Sequence, residues 1–110
     1  MKRRRNLDPA TKRWWGEHRR CCGLLVSQLR TEKGWTQGEL AKRAGVSLHW
    51  LQTLEANQLK RNYRMLHEIR VISALGFGTD EIKDFYGRVG DMVKETVGSP
   101  PWLTNTSEEP

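Results

Sequence analysis

From Cys22 onward, apolar residues recur three or four positions apart: Cys22, Leu25, Val26 and Leu29 line one face of a helix. Lys33 and Gly34 then supply the cationic last turn and terminal glycine that close such a helix. Thr36-Gln37-Gly38-Glu39 has the spacing of a capping box and opens a second, short helix with Leu40, Ala41 and Ala44 inward. Gly45 ends it, and Ser47 caps a third helix whose inward residues are Leu51 and Leu54. Met65, Leu66, Ile69, Ile72 and Leu75 predict a fourth helix over Tyr63 to Leu75, stopped by Gly76. Thr79 opens a fifth, carrying Ile82, Phe85, Tyr86, Val89, Met92 and Val93 and broken by Gly98-Ser99-Pro100-Pro101. Strand-type alternation is absent, so the expected class is all-α. Upstream, Asp8-Pro9 reads as an N-cap followed by proline at the first helical position. A further helix could run from Pro9 toward Arg20, though Gly16 and Gly23 weigh against it, each costing about 1 kcal/mol relative to alanine inside a helix. The expected organisation is a basic N-terminal extension over 1–20, partly helical, a domain over 21–97, and a polar tail over 98–110.

Charge changes this picture by its placement. Residues 1–20 hold eight Lys/Arg against Asp8 and Glu17, whereas residues 71–110 hold three against seven acids. Arg3, Arg4 and Arg5 belong to a run of four cations outside any apolar period, the composition of an arm that can meet phosphates or merely stay solvated. The chain has 110 residues, 36% of them hydrophobic, which suffices for one domain with a modest core. No apolar run reaches the length of a membrane span, and the basic N-terminus lacks the apolar stretch of a secretory signal. A cytoplasmic location is expected.

Catalytic patterns are missing. The histidines, His18, His49 and His67, do not make HExxH, and neither GxSxG nor a phosphate-cradling glycine loop occurs. Cys21 and Cys22 are adjacent and have no second ligand pair, which disfavours a metal site. The expectation is a non-enzyme without cofactor or metal.

Only Gly45-Val46 separates the second and third helices before the Ser47 cap, which is the spacing of a helix-turn-helix over Thr36 to Ala56. On the third helix Leu48, His49, Gln52 and Thr53 point outward. Gln can pair bidentately with adenine, Leu or Thr can meet a thymine methyl, and His can bond a base edge or phosphate. Trp50 fits two roles equally: a ring against sugar-phosphate, or a member of the core. Lys42, Arg43, Lys60, Arg61 and Arg64 are candidate phosphate contacts, which would position a duplex without reading it.

The stretch Gly34-Trp-Thr-Gln-Gly-Glu-Leu-Ala-Lys-Arg-Ala-Gly-Val-Ser47, followed by Leu51 and Leu54-Glu55, resembles the lambda-repressor-like, Cro-type helix-turn-helix family. The resemblance spans about residues 22–76. It implies a five-helix domain that binds double-stranded DNA sequence-specifically and often dimerises. It further implies that Gln37 touches a phosphate and braces the recognition helix, that Glu55 pairs with Arg30, and that the residues after Ser47 read bases. The loop Asn57 to Arg64 takes the place of a backbone-contacting loop. Here Ala56-Asn57 replaces the family's frequent Asn-Gly or Arg-Gly, the loop is longer, and the segment before Cys21 has no counterpart. The expected function is a transcriptional regulator, a repressor on an inverted repeat, acting as a homodimer. The alternative is an antitoxin-type protein that binds a partner protein and its own operator. For the dimer, Asp80 to Val97 is the candidate segment, either folding back fully or offering Val89 to Val93 to a second copy.

Overall fold

Asp8 begins the first helix through its carboxylate, which accepts from the Thr11 backbone N–H at 3.3 Å and from the Thr11 hydroxyl at 2.6 Å. With Pro9 at the first position, α1 runs unbroken over Pro9–Glu32, about 36 Å at 1.5 Å per residue. The computed structural model describes residues 8–58 and 65–103. After α1 come α2 (Gln37–Ala44), α3 (Leu48–Glu55), α4 (Met65–Ala74), a 3-10 turn at Thr79–Glu81 and α5 (Ile82–Lys94). The described residues contain no strand, so the chain is a helical domain.

The continuity of α1 corrects the boundary expected at residue 20, and its two interior glycines explain why. Gly16 is exposed with nothing within 4 Å of the place a Cβ would take, so its cost is only the modest loss of helix propensity. Gly23 is buried against α3, where a Cβ would strike the Leu54 carbonyl; the missing side chain lets the two helices approach. Residues 9–20 therefore belong to the folded body. Trp14 is part of the core and donates its indole N–H to the Gly98 carbonyl at 3.2 Å.

α5 lies along α1. Phe85, Val89 and Val93 are fully buried, beside Cys21, Leu25 and Val26 of the same core. This overturns the expectation that Val89 to Val93 meets a second copy: Phe85, Val89 and Val93 fold back onto their own chain, with Ile82, Tyr86 and Met92 partly buried against the same core, because the long α1 supplies the surface that covers them. The C-terminal stretch also departs from a polar tail at its start. The Trp102 ring packs edge-on against Trp14 at 5.4 Å and stacks on Trp15 at 5.9 Å.

In α4 the inward face differs from the expected one. Met65 and Leu66 are 62% and 60% exposed, while Glu68, Val71, Ile72 and Leu75 are buried. Those four stand at i, i+3, i+4 and i+7, a regular helical stripe that the charge of Glu68 disguises. No helix among the described residues is long and apolar enough to cross a membrane.

Candidate nucleic-acid interface

The turn between α2 and α3 is built from local chemistry. Thr36 Oγ1 accepts from the Glu39 backbone N–H at 3.1 Å, and the Glu39 carboxylate accepts from the Thr36 N–H at 2.8 Å, completing the capping box. Gly45 sits at φ 73°, a left-handed conformation that costs glycine little. The chain there reverses within two residues, with the Val46 N–H returning to the Ala41 carbonyl at 3.1 Å. Ser47 Oγ then accepts from the Trp50 N–H at 3.0 Å and starts α3.

α3 presents two faces. Trp50, Leu51 and Leu54 are buried; Leu48, at 44% exposure, faces solvent with His49 and Gln52. Ser47 is exposed but engaged as the cap. Thr53 is half-buried, and its hydroxyl donates to the Trp50 carbonyl at 2.7 Å, which leaves its methyl and lone pairs for any ligand. Of the two roles open to Trp50, the structure shows the core one: at 6% exposure its ring is a core group, set edge-on against His67 of α4 at 5.2 Å.

A carboxylate hub fixes the angle of α3. Glu55 accepts from Arg30 Nε and Nη2, both at 2.9 Å, and from Gln37 Nε2 at 3.0 Å. Arg30 Nη1 also donates to the Trp35 carbonyl at 2.8 Å. One bidentate pair thus joins the ends of α1 and α3, while Gln37 joins the start of α2 to both. Such a partly buried pair specifies geometry more than it adds stability, since desolvation offsets much of its Coulomb gain. Arg43 lies over the Trp35 ring at 4.2 Å and Lys33 at 5.3 Å, so the Trp35 side chain gathers cations beside the α2 entry. Lys42 is exposed. Arg3, Arg4, Arg5, Lys60, Arg61 and Arg64 lie outside the described residues.

Sequence reasoning missed a second polar centre. Glu68 of α4 is 2% exposed and accepts from the Cys22 thiol and the Tyr86 hydroxyl, each at 2.7 Å. Burial, followed by the adjacent Glu68 charge, drives the Cys22 thiol far above the usual thiol range. It stays a donor and not a nucleophile. Nothing in the sequence spacing signals this trio, because its members come from α1, α4 and α5. Among the described residues no group of three or more His, Cys, Asp or Glu is placed to hold a metal.

The arrangement offers an exposed, capped helix on a rigid support, with cations nearby. Compared with protein-family models, with curated proteins and with solved structures, the chain shows no match in any of the three.

Proposed function

We propose that the chain is a sequence-specific DNA-binding regulator with a lambda-repressor-like arrangement, in which α3 enters the major groove of double-stranded DNA. One observation carries the reading. α3 turns Leu48, His49 and Gln52 to solvent while its other face is buried and its far end is bound to α1 and α2 through Glu55. An eight-residue helix free to rock could not hold side chains in register with base edges; this one is clamped at both ends, by Ser47 and by Arg30 and Gln37. Gln52 reads a base, His49 bonds a base edge or phosphate, and Leu48 or the Thr53 methyl meets thymine. Lys42 and the cations around Trp35 hold phosphates.

Two such units about 34–36 Å apart would read an inverted repeat, so the active species is a homodimer acting in the cytoplasm as a repressor. With α5 occupied by its own core, the joining surface lies outside the Val89 to Val93 stretch.

Selection of bound duplexes from random DNA tests the reading. The expected result is a recurrent half-site repeated with dyad symmetry. Gln52→Ala should cost about 1–3 kcal/mol on that site and relax one base pair while leaving binding to random duplex unchanged. Equal losses on specific and random DNA, or no recurrent site at all, would refute it.

A further inference from the structure

A groove of about 280 Å³ opens between the N-terminal half of α1, the start of α4 and α5, lined by Trp15, His18, Arg19, Met65, Ile69 and Tyr86. Enclosed ligand sites run to about 300–1,000 Å³, so this space suits an anchoring side chain better than a cofactor. The apolar surface continues beyond it. Trp15 is 43% exposed and stacks on Trp102, itself 42% exposed, and Leu66 stands exposed next to Met65. Large apolar side chains grouped at the surface in this way mark a binding face.

Cations flank the groove. Lys12 stands three residues before Trp15 and Arg19 four after it, on one flank of α1; Lys83 stands three before Tyr86 on α5. The acids of these helices lie away from it: Glu32 ends α1, thirteen residues past Arg19, and Asp84, two residues before Tyr86, is about 200° around α5 from it. Glu17 accepts from Arg20 at 2.7 Å and from Thr96 at 2.7 Å, and Asp91 and Glu95 line, together with Arg20 and Arg88, a separate groove on the other flank of α1 and α5. Glu68 lies buried, bonded to Tyr86. The floor is firm, with His18 stacked on Tyr86 at 6.1 Å. Gly90, one turn after Tyr86, has nothing within 4 Å of its missing Cβ, so α5 shows bare backbone there and a second helix can come close.

An apolar trough with a basic rim selects its occupant. A second copy across a two-fold axis would set the basic rim against itself. An acidic partner satisfies both the apolar floor and the cations. We propose that this groove docks an acidic amphipathic helix of a partner protein, with apolar residues on Trp15, Met65 and Tyr86 and carboxylates toward Lys12, Arg19 and Lys83. This role is separate from DNA reading by α3 and stands or falls independently of it.

The test is a displayed library of helical peptides with Leu or Phe fixed at i, i+3, i+4 and i+7 and all other positions randomised, selected against the full chain. Recovered peptides are expected to be enriched in Asp and Glu. A synthetic example should bind at least tenfold more tightly than its Lys-for-Glu counterpart. It should bind Met65→Glu and Lys83→Glu at least tenfold more weakly, with unchanged melting of both variants because both positions are exposed. Recovery without acidic enrichment, or equal binding to the variants, overturns the proposal. So does self-association in sedimentation that Met65→Glu abolishes, which would give the groove to a second copy. Loss of duplex binding in Met65→Glu would give it to nucleic acid and equally refute the proposal.

Discussion

Gly16→Ala and Gly23→Ala make the same chemical change in the same helix and should move stability in opposite directions. At Gly16 the added methyl meets nothing within 4 Å, so only the propensity term remains. That term favours alanine by about 0.5–1 kcal/mol. At Gly23 the methyl meets backbone alone: the Leu54 carbonyl oxygen first, then the Leu54 carbonyl carbon at 3.1 Å and Glu55 Cα at 3.3 Å. A side chain could rotate aside, whereas a helix backbone must translate. α1 and α3 would separate, loosening Leu51 and Leu54 and stretching the 2.9 Å bonds from Arg30 to Glu55. Overpacking costs about 1–3 kcal/mol, and a contact made only of backbone belongs at the upper end. Less the propensity gain, the net loss is about 2 kcal/mol. At roughly 4 °C per kcal/mol for a chain of this size, Gly16→Ala should melt about 2–4 °C higher and Gly23→Ala about 8 °C lower than the unaltered protein. Thermal and urea unfolding followed by circular dichroism measures both. A Gly23→Ala variant that melts at or above the unaltered protein would refute the close approach of α1 to α3.

Glu55→Ala should cost about 3 kcal/mol, because it strands the partly buried Arg30 guanidinium and the Gln37 amide together; a loss under about 1 kcal/mol in urea titration would mean the hub is solvated. His18 is held below its ordinary pKa chiefly by burial, with the neighbouring Arg19 charge adding to it and Glu68 opposing. The unfolded chain then binds the extra proton, so His18's contribution is fully present above about pH 6.5 and declines as pH falls below that; His18→Phe should flatten the pH dependence of the urea midpoint there, and an unchanged slope would count against it. Val89→Glu puts a charge at a fully buried position and should abolish cooperative melting; a folded variant with only its self-association altered would contradict the packing of α5 on α1.

What the sequence disclosed were features whose causes are local. The capping box of Thr36 and Glu39, the left-handed Gly45 and the Ser47 cap each depend on residues within three positions, and all stand where spacing put them. The outward set Leu48, His49 and Gln52 followed from the helix period once Leu51 and Leu54 were inward. The rest needed partners distant in the chain. Gly23 counts against a helix until α3 is brought beside it. Glu68 hides the inner stripe of α4 until Cys22 and Tyr86 supply donors for a buried carboxylate. Trp50 stays ambiguous until His67 meets its ring, and the apolar excess of α5 is excess only if α1 is cut short at residue 20.

The two proposed surfaces interact in a way that a single titration can separate. An acidic helix seated by α1, α4 and α5 brings negative charge to a chain that would bind a polyanion, so it should weaken DNA binding by Coulomb repulsion alone. By linkage DNA must weaken the peptide by the same factor. Repulsion of this kind is screened within about 10 Å at 0.1 M salt, and the coupling should fade as salt rises from 0.02 to about 0.3 M. A second route exists in the fold. Met65 of the groove stands two residues from His67, whose ring meets Trp50 behind the exposed face of α3. Transmission along it requires that contact to have two arrangements, one preferred with peptide and one with DNA. Trp50 is a close-packed core residue, 6% exposed with its ring edge-on to His67, and such a residue is expected to keep one arrangement. The expected outcome is therefore a coupling that vanishes at high salt and is unaltered by His67→Leu. A coupling that persists at high salt and is lost in that variant would show that α4 moves α3, and that the support of α3 is a switch.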